Sequence, residues 1–310
     1  MAGNVDPVYQ QSGYDYADQA YGKTARRRSA WSVLFFIALF VFLAALAGVG
    51  YIAYTYWAGQ NSYDELVEHV EVDDSGSYLT LGSFDVDWDA LRAINPEVVG
   101  WVYLPGTPIN YPIVWHEGNG DYYMKHNFAG QGAGAFGAEY GCPVLSDANS
   151  PEWTDQISFV AAHNMMNGTM FAYLEELQDS AVFNEHRTFY LLTPEGNFRL
   201  TSFACDSIRG TSKVTVIPNF ETEDEFRQYL TQRVQESLAQ PDPALPSVDT
   251  IDQVVAFYTC SAPDDRYRIM VYCAVEEFLP AGSDVSKGNS LVDPADVGSV
   301  ESAMGERLQG

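Results

Sequence analysis

The residues best suited to covalent chemistry are one cysteine and two arginines near it. Cys260 ends the apolar run Val254–Cys260, and Arg266 and Arg268 open the next apolar run after a short polar turn. Both runs are β-branched and aromatic, so we expect an antiparallel hairpin with the cysteine and the arginines at one end. A neighbouring cation favours the thiolate, which is the nucleophilic form. The alternative is a buried structural cysteine, because buried cysteines are common.

A histidine earlier in the chain completes a candidate catalytic set. His163 follows the buried-looking strand Ile157–Ala162 and precedes a glycine-containing turn and a helix predicted over Gly168–Leu177. Imidazole titrates near neutral pH, so a histidine at the end of a strand is suited to acid–base work. The other four histidines lie in segments that look like spacer, loop or solvated surface, at His69, His116, His126 and His186. For each histidine alone, a structural role is the alternative.

The N-terminal region contains a long uncharged stretch. Residues 1–30 end in the basic cluster Lys23–Arg28, and Trp31–Trp57 carries no charge. About 20 apolar residues cross a bilayer, and a basic cluster before the span favours a cytoplasmic N-terminus. We therefore predict a single-pass cell-membrane protein with a cytoplasmic segment over 1–30, a transmembrane helix over 31–57 and an extracellular remainder. A signal peptide cleaved near Ala45–Ala47 is the alternative, but the apolar run is long for one.

Composition restricts the partners. The formal net charge is −26, which argues against nucleic acid, because binding phosphates needs a basic surface. The four cysteines form no CxxC and no Cys/His spacing typical of zinc, so we expect no metal and no cofactor. If Cys260 is a nucleophile it must stay free. Cys142, Cys205 and Cys273 can then form at most one disulfide, and the sequence does not decide which pair.

The rest of the chain predicts one domain rich in strands. An acidic spacer over 58–84, with a helix near Tyr63–Val72, precedes a catalytic domain over 85–279. Many short strands with few helices indicate a β-barrel or sandwich. Glu221–Leu238 is the clearest amphipathic helix, with Asn219 or Thr222 as its cap. The tail over 280–310 is rich in Gly, Ser and Asp, and we predict it to be disordered.

Several separated blocks of the sequence resemble the sortases, cysteine transpeptidases of Gram-positive bacteria, and among them class B. The blocks are Asn95–Val102, Pro105–Val114, Tyr123–Phe128, Ala162–Met165 with Gly168 and Met170–Phe171, and Thr259–Cys260. Arg268 lies eight residues after Cys260 and begins a strand, as the family arginine does. The likeness covers about residues 85–278 in the family's order. Ala162, Ala256 and Phe257 depart from the family pattern, and Arg266 offers a second arginine.

The resemblance implies a mainly β fold: a sortase-type eight-stranded barrel with N-terminal helices and a long helix before the cysteine strand. It also implies the chemistry. Cys260 attacks a sorting-signal peptide after its Thr and forms a thioacyl intermediate. His163 is the general acid and base, Arg268 holds the substrate carbonyl or oxyanion, and Thr259 is a candidate auxiliary through its hydroxyl.

The implied partners are secreted proteins with a C-terminal sorting signal and an amine of a cell-wall peptide. A pilus-polymerising sortase that uses a pilin lysine is the nearest alternative. A hydrolase, in which water takes the acyl group, and a non-catalytic membrane-tethered binding domain are the others. The sequence leaves the sorting motif, the acceptor and the oligomeric state open.

Overall fold

The computed structural model describes residues 30–73, 79–132, 140–209, 215–244, 247–260 and 267–283. The chain divides into two compact units, Met1–Tyr51 and Ile52–Gly310. Residues 1–29 of the predicted cytoplasmic segment, the predicted turn with Arg266, and the part of the predicted disordered tail beyond Ser283 lie outside the described residues.

The first described element is helix α1, Ala30–Val67. By length and composition it qualifies as a membrane span, and a signal sequence near an N-terminus passes the same test. The helix runs on past Trp57, the predicted end of the span. The separate helix predicted near Tyr63–Val72 is therefore the last part of α1, and it ends earlier than predicted. Val70–Val72 instead forms strand β1.

The segment predicted as a spacer packs onto the domain. Strand β1 pairs antiparallel with strand β2, Phe84–Val86, to form a small two-stranded sheet. Leu81 and Phe84 are buried, and the Phe84 ring lies 4.7 Å from the ring of Tyr190. Burial of these apolar side chains makes the segment part of the folded domain, because it removes their surface from water.

Eight strands close into a barrel, which confirms the predicted mainly β architecture. They are β3 (Val98–Tyr103), β4 (Asn110–Trp115), β5 (Val144–Leu145), β6 (Ile157–Ala161), β7 (Thr188–Thr193), β8 (Gly196–Arg209), β9 (Val254–Cys260) and β10 (Tyr267–Pro280). Their order around the barrel is β10-β8-β7-β3-β4-β5-β6-β9. The pairs β4–β5 and β6–β9 are parallel, and the others are antiparallel.

Strand β9 is buried on both faces, which explains its continuous apolar sequence. Val255 and Phe257 belong to the main core, where the Phe257 ring stacks on Phe189 at 5.1 Å. Val254 and Ala256 belong to a second core that includes Phe226 and Leu230. Alternation with period two therefore places successive residues in different cores.

The second core is covered by helix α4, Glu223–Glu236, which lies before the cysteine strand as predicted. Thr222 is its cap, since its Oγ1 accepts a hydrogen bond from Glu225 N at 3.3 Å. Two shorter helices are α2, Trp88–Ile94, and α3, Ser180–Glu185.

The helix predicted over Gly168–Leu177 differs from the structure. A 3-10 helix occupies Ala172–Gln178 instead. Gly168 and Met170 have φ angles of 81° and 56°, which an α-helix does not allow. The helical spacing of the apolar residues is present, but the backbone before Ala172 belongs to the loop that follows His163.

A buried ion pair joins α4 to the barrel. Arg233 Nη1 lies 2.9 Å from Asp206 Oδ2 of β8, and the two side chains are 9% and 3% exposed. A buried charge that loses its partner is costly, so each member of this pair depends on the other.

We predict that Asp206→Ala lowers the free energy of unfolding by about 3 kcal/mol, because Arg233 loses its buried partner and keeps only Glu236, whose side chain is 51% exposed. Glu276→Ala is the control. It removes an ion pair with Arg199 whose side chains are 34% and 42% exposed, and it should cost less than about 1 kcal/mol. Urea unfolding followed by tryptophan fluorescence measures both. Equal losses would contradict a special role for the buried pair.

Candidate active site

The hairpin of β9 and β10 places a cysteine opposite an arginine. The two strands pair antiparallel, with Cys260 directly opposite Arg268, so the predicted hairpin is confirmed. Residues opposite each other in such a ladder have Cα atoms about 5 Å apart. Arg268 is half-buried, and its Nη1 donates to the carbonyl of Tyr267 at 3.1 Å. The register therefore places Arg268 of β10 next to Cys260, the last residue of β9.

The parallel pair of β6 and β9 brings the histidine segment to the same end. Ala161 pairs with Tyr258, and Ala162 N donates to the Tyr258 carbonyl at 3.2 Å. Thr259 Oγ1 donates to the Ala162 carbonyl at 2.8 Å. His163 follows directly, so its backbone comes alongside Cys260.

The Thr259 hydroxyl has a backbone partner. Its side chain is 2% exposed, and its hydroxyl proton is used in the bond to Ala162. This bond makes Thr259 a link between the cysteine strand and the residue before His163. The auxiliary role of the hydroxyl at the oxyanion stays a prediction.

The imidazole of His163 is oriented by a backbone carbonyl. Nε2 lies 2.6 Å from the carbonyl oxygen of Met124. A carbonyl only accepts hydrogen bonds, so Nε2 carries the proton. Among the described residues, the other ring nitrogen, Nδ1, has no hydrogen-bond partner. A general acid and base needs one ring nitrogen available to the reacting group, so this geometry is compatible with the predicted role.

A glycine lies against the His163 ring. Gly141 has φ of 62°, and a Cβ at this position would lie 2.8 Å from His163 Cδ2 and 3.1 Å from the Tyr123 carbonyl. Only glycine satisfies both the left-handed backbone and the close approach. The ring of His163 is therefore held between the Met124 carbonyl and the backbone at Gly141.

The segment that carries the Met124 carbonyl is fixed by buried polar groups. The Tyr123 hydroxyl donates to Glu97 Oε2 at 2.6 Å and accepts from Asn95 Nδ2 at 2.8 Å. The Tyr123 carbonyl accepts from Cys142 N at 2.8 Å. These bonds fix the side chain and the backbone of Tyr123, the residue next to Met124.

Three other histidines have partners elsewhere in the fold. His116 Nδ1 lies 2.8 Å from Glu97 Oε1, and the His126 ring stacks on Tyr122 at 4.0 Å. His186 Nδ1 lies 3.2 Å from the Pro105 carbonyl. His163 differs from these three because it follows β6, a strand that pairs with β9.

The remaining cysteines are free thiols inside the domain, at Cys142, Cys205 and Cys273. Burial raises the pKa of the Cys205 thiol to about 12, and it also raises the pKa values of Cys142 and Cys273. A thiol that stays protonated is a poor nucleophile. Within the described ranges, no three His, Cys, Asp or Glu side chains form a group that could hold a metal ion.

Sequence reasoning missed the groups that orient His163, namely Met124, Gly141 and Tyr123. Met124 and Tyr123 lie in a block that resembles the family, but Met124 acts through its backbone, which the side-chain type does not reveal. Gly141 lies in a glycine-rich segment where no single glycine stands out. Met124 and Gly141 are recognised only from their contacts with His163, which is distant in the sequence.

Comparisons with known proteins give a consistent result. No family model matches the chain. Sortase B of Listeria monocytogenes is 28% identical over 175 residues, which is 56% of this chain and 67% of the relative. Sortase B of Staphylococcus aureus is 24% identical over 181 residues, 58% of this chain and 68% of the relative. A crystal structure of a Bacillus anthracis protein similar to sortase B has a TM-score of 0.57 and 25% identity, and the match covers 71% of this chain and 96% of that one.

The closed eight-stranded barrel and these relatives support a cysteine transpeptidase of the sortase class. Within that class, they support a class B sortase.

We predict that Gly141→Ala lowers kcat/KM of peptide transfer by about 100-fold, because a displacement of His163 by about 1 Å is enough for such a loss. Gly118→Ala is the matched control. Gly118 also has a positive φ, 69°, but a Cβ there meets nothing within 4 Å.

Both substitutions should cost about 1–2 kcal/mol of stability through backbone strain, and thermal unfolding would verify this. Transfer rates measured below both melting transitions separate strain from displacement. A similar loss of activity in the two variants would show that the Gly141 contact with His163 is not what matters.

Proposed function

We propose that this class B sortase is anchored in the cell membrane by α1, cleaves a sorting-signal peptide after Thr and transfers it to an amine. The observation that carries the proposal is the register of three neighbouring strands. Strand β9 lies between β6 and β10, and this brings His163, Cys260 and Arg268 to adjacent positions at one barrel end.

The first half of the reaction forms the thioacyl intermediate. The Cys260 thiolate attacks the backbone carbonyl carbon of the Thr in the substrate, and a tetrahedral oxyanion forms. When this intermediate collapses, the C–N bond breaks, and His163 gives a proton to the leaving amine through the nitrogen that does not face Met124. Splitting one acyl transfer into two steps is the advantage of covalent catalysis.

The second half reverses these roles. His163, now neutral, takes a proton from the incoming amine, which attacks the thioacyl carbonyl. A new amide bond forms, the C–S bond breaks, and Cys260 leaves as the thiolate. One imidazole therefore serves as acid and then as base.

Arg268 is assigned to the oxyanion. It lies directly opposite Cys260 in the β9–β10 ladder, and a fixed guanidinium stabilises negative charge that develops on the carbonyl oxygen. Arg266 lies outside the described residues, and its position in the turn gives no comparable argument.

Localisation follows from the N-terminal sequence and α1. A basic cluster precedes an uncharged helix that is long enough to cross a bilayer. We infer a single-pass protein with its N-terminus in the cytoplasm and the catalytic domain outside the cell. There, secreted substrates and an amine of the cell wall would meet the enzyme.

The substrate classes are inferred from chemistry and from relatives. One solved sortase B is described as complexed with Gly3, and a Staphylococcus aureus sortase B–substrate complex is also known. A glycine peptide has a primary amine at its N-terminus. We infer for this chain a peptide substrate and an amine acceptor on a wall peptide, with a pilin lysine as the second candidate.

We predict that incubation with a pool of Thr-containing sorting peptides gives an acyl adduct on Cys260, detected by mass spectrometry. Cys260→Ala should abolish the adduct. Cys273→Ala is the matched control and should keep it, because that thiol is buried and its pKa is raised. An adduct that moves to an added amine establishes transpeptidation.

The same assay tests the other roles. His163→Ala should reduce transfer by about 10²–10⁴-fold, and Arg268→Ala by about 10²–10³-fold. Arg266→Ala is the control for Arg268 and should stay near the parent. If the parent chain formed no adduct and no transfer product, as Cys260→Ala should not, the non-catalytic tethered binding domain would be favoured.

We expect a wall-peptide amine to outcompete a pilin lysine as acceptor when both are present in equal amounts. Product ratios by mass spectrometry measure this preference. A product formed mainly on the pilin lysine would establish the pilus-polymerising alternative. Release of free acid, unchanged by either amine, would establish a hydrolase.

A further inference from the structure

The end of helix α1 reaches the backbone that holds His163. Tyr63 lies near the end of α1 and is 1% exposed. Its hydroxyl donates a hydrogen bond to the carbonyl of Gly141. Gly141 is the residue whose backbone lies against the His163 ring. One phenol therefore connects the helix to the group that confines the imidazole.

A second contact runs from the same face of the helix. Gly59 lies one turn before Tyr63, and a Cβ at Gly59 would lie 2.7 Å from Cε2 of Tyr140. Residues four apart lie on the same face of a helix. The ring of Tyr140 also stacks on Tyr63 at 6.1 Å. Any side chain at Gly59 would push Tyr140 away from the helix.

Tyr140 and Tyr111 hold the loop that follows His163. The Tyr140 hydroxyl accepts from Asn167 Nδ2 at 2.8 Å and from Thr169 Oγ1 at 3.3 Å. The Tyr111 hydroxyl accepts from Met170 N at 3.0 Å, and the Tyr111 ring lies 5.5 Å from Tyr63.

The loop is closed on His163 itself. Phe171 N donates to the His163 carbonyl at 3.0 Å, and Asn164 and Met170 form a β-bridge. The three tyrosines Tyr63, Tyr111 and Tyr140, which we call the tyrosine cluster, therefore reach His163 by two routes. One route passes through Gly141 to the ring, and the other passes through the loop to the backbone.

We propose that the last turns of α1, through Tyr63 and Gly59, are a positioning element for His163. The proposal rests on the catalytic role proposed above for His163. Tyr63 lies only about 9 Å along the helix from Trp57, the last residue of the predicted span. The segment of chain that leaves the membrane is thus part of the support of the active site, and more than a tether.

The hydroxyl of Tyr63 is tested with Tyr63→Phe in the full chain in detergent. Removal of the hydroxyl leaves the Gly141 carbonyl buried without this donor, so Gly141 should shift. We expect kcat of transfer to fall by about 10-fold with little change in KM for the peptide, because His163 is misplaced while the peptide site is intact. The pH dependence of Cys260 alkylation by iodoacetamide should shift, since it reports the thiolate fraction beside His163.

Tyr190→Phe is the matched control. Its hydroxyl also donates to a backbone carbonyl, that of Leu79 at 3.0 Å. Its ring contacts Phe84 of β2 and not His163 or Gly141. It should lose comparable stability and keep the parental kcat and alkylation profile.

The helix face is tested by a second pair of variants. Gly59→Ala should lower kcat in the same way, because it displaces Tyr140. Gly50→Ala is the control. Gly50 lies in the same helix, but a Cβ there meets nothing within 4 Å, so this substitution should leave kcat unchanged. Because Ala favours helix over Gly, lower helix stability cannot explain a loss at position 59.

The outcomes are distinct. If Tyr63→Phe and Gly59→Ala both match their controls in kcat and in the alkylation profile while His163→Ala is inactive, the positioning role of α1 is overturned and the proposed function stands. If His163→Ala is itself active, the proposed function fails. Losses in Tyr63→Phe and Gly59→Ala, absent from Tyr190→Phe and Gly50→Ala, support the proposal.

Discussion

The parallel pairing of β6 with β9 is the constraint on which the site depends. These strands come from distant parts of the sequence, and their register is fixed by Ala161 opposite Tyr258 and by the Thr259 bond to the Ala162 carbonyl. A slip of one residue would turn every side chain to the other face. Both faces of β9 are buried in different cores, so such a slip would place side chains in the wrong core. Packing therefore sets the register, and the register sets the chemistry.

The orientation of the histidine requires a second layer of support. Met124, Gly141 and Tyr123 come from segments between β4 and β5, and they meet His163 only in the folded domain. Bonds from Tyr123 to Glu97 and Asn95 extend this support to the start of β3. In the proposed mechanism the imidazole acts as acid and then as base, so it has to keep one geometry through both steps. The density of buried hydrogen bonds around it meets that need.

The sequence was most informative where a pattern is local or where a motif is shared. The β9–β10 hairpin, the cap at Thr222 and the barrel class followed from strand runs, capping chemistry and family blocks. Other features depended on distant contacts. The end of α1 was assigned to a spacer because its polar composition does not show that Tyr63 is buried. The helix expected from Gly168 begins later, since apolar spacing does not report the positive φ of Met170. The bond from the Thr259 hydroxyl to the Ala162 carbonyl is another such distant contact.

Each strand of the barrel hydrogen-bonds to two neighbours. Where a strand is paired on both sides, it has no backbone groups left to add a peptide to the sheet. The peptide substrate proposed above must therefore be recognised away from these paired stretches, through side chains and connecting segments at the barrel end. Substitutions in those segments can change which peptide is accepted while the barrel's hydrogen-bond ladder stays the same. The closed sheet thus lets substrate choice diverge between relatives that share the fold and the reaction.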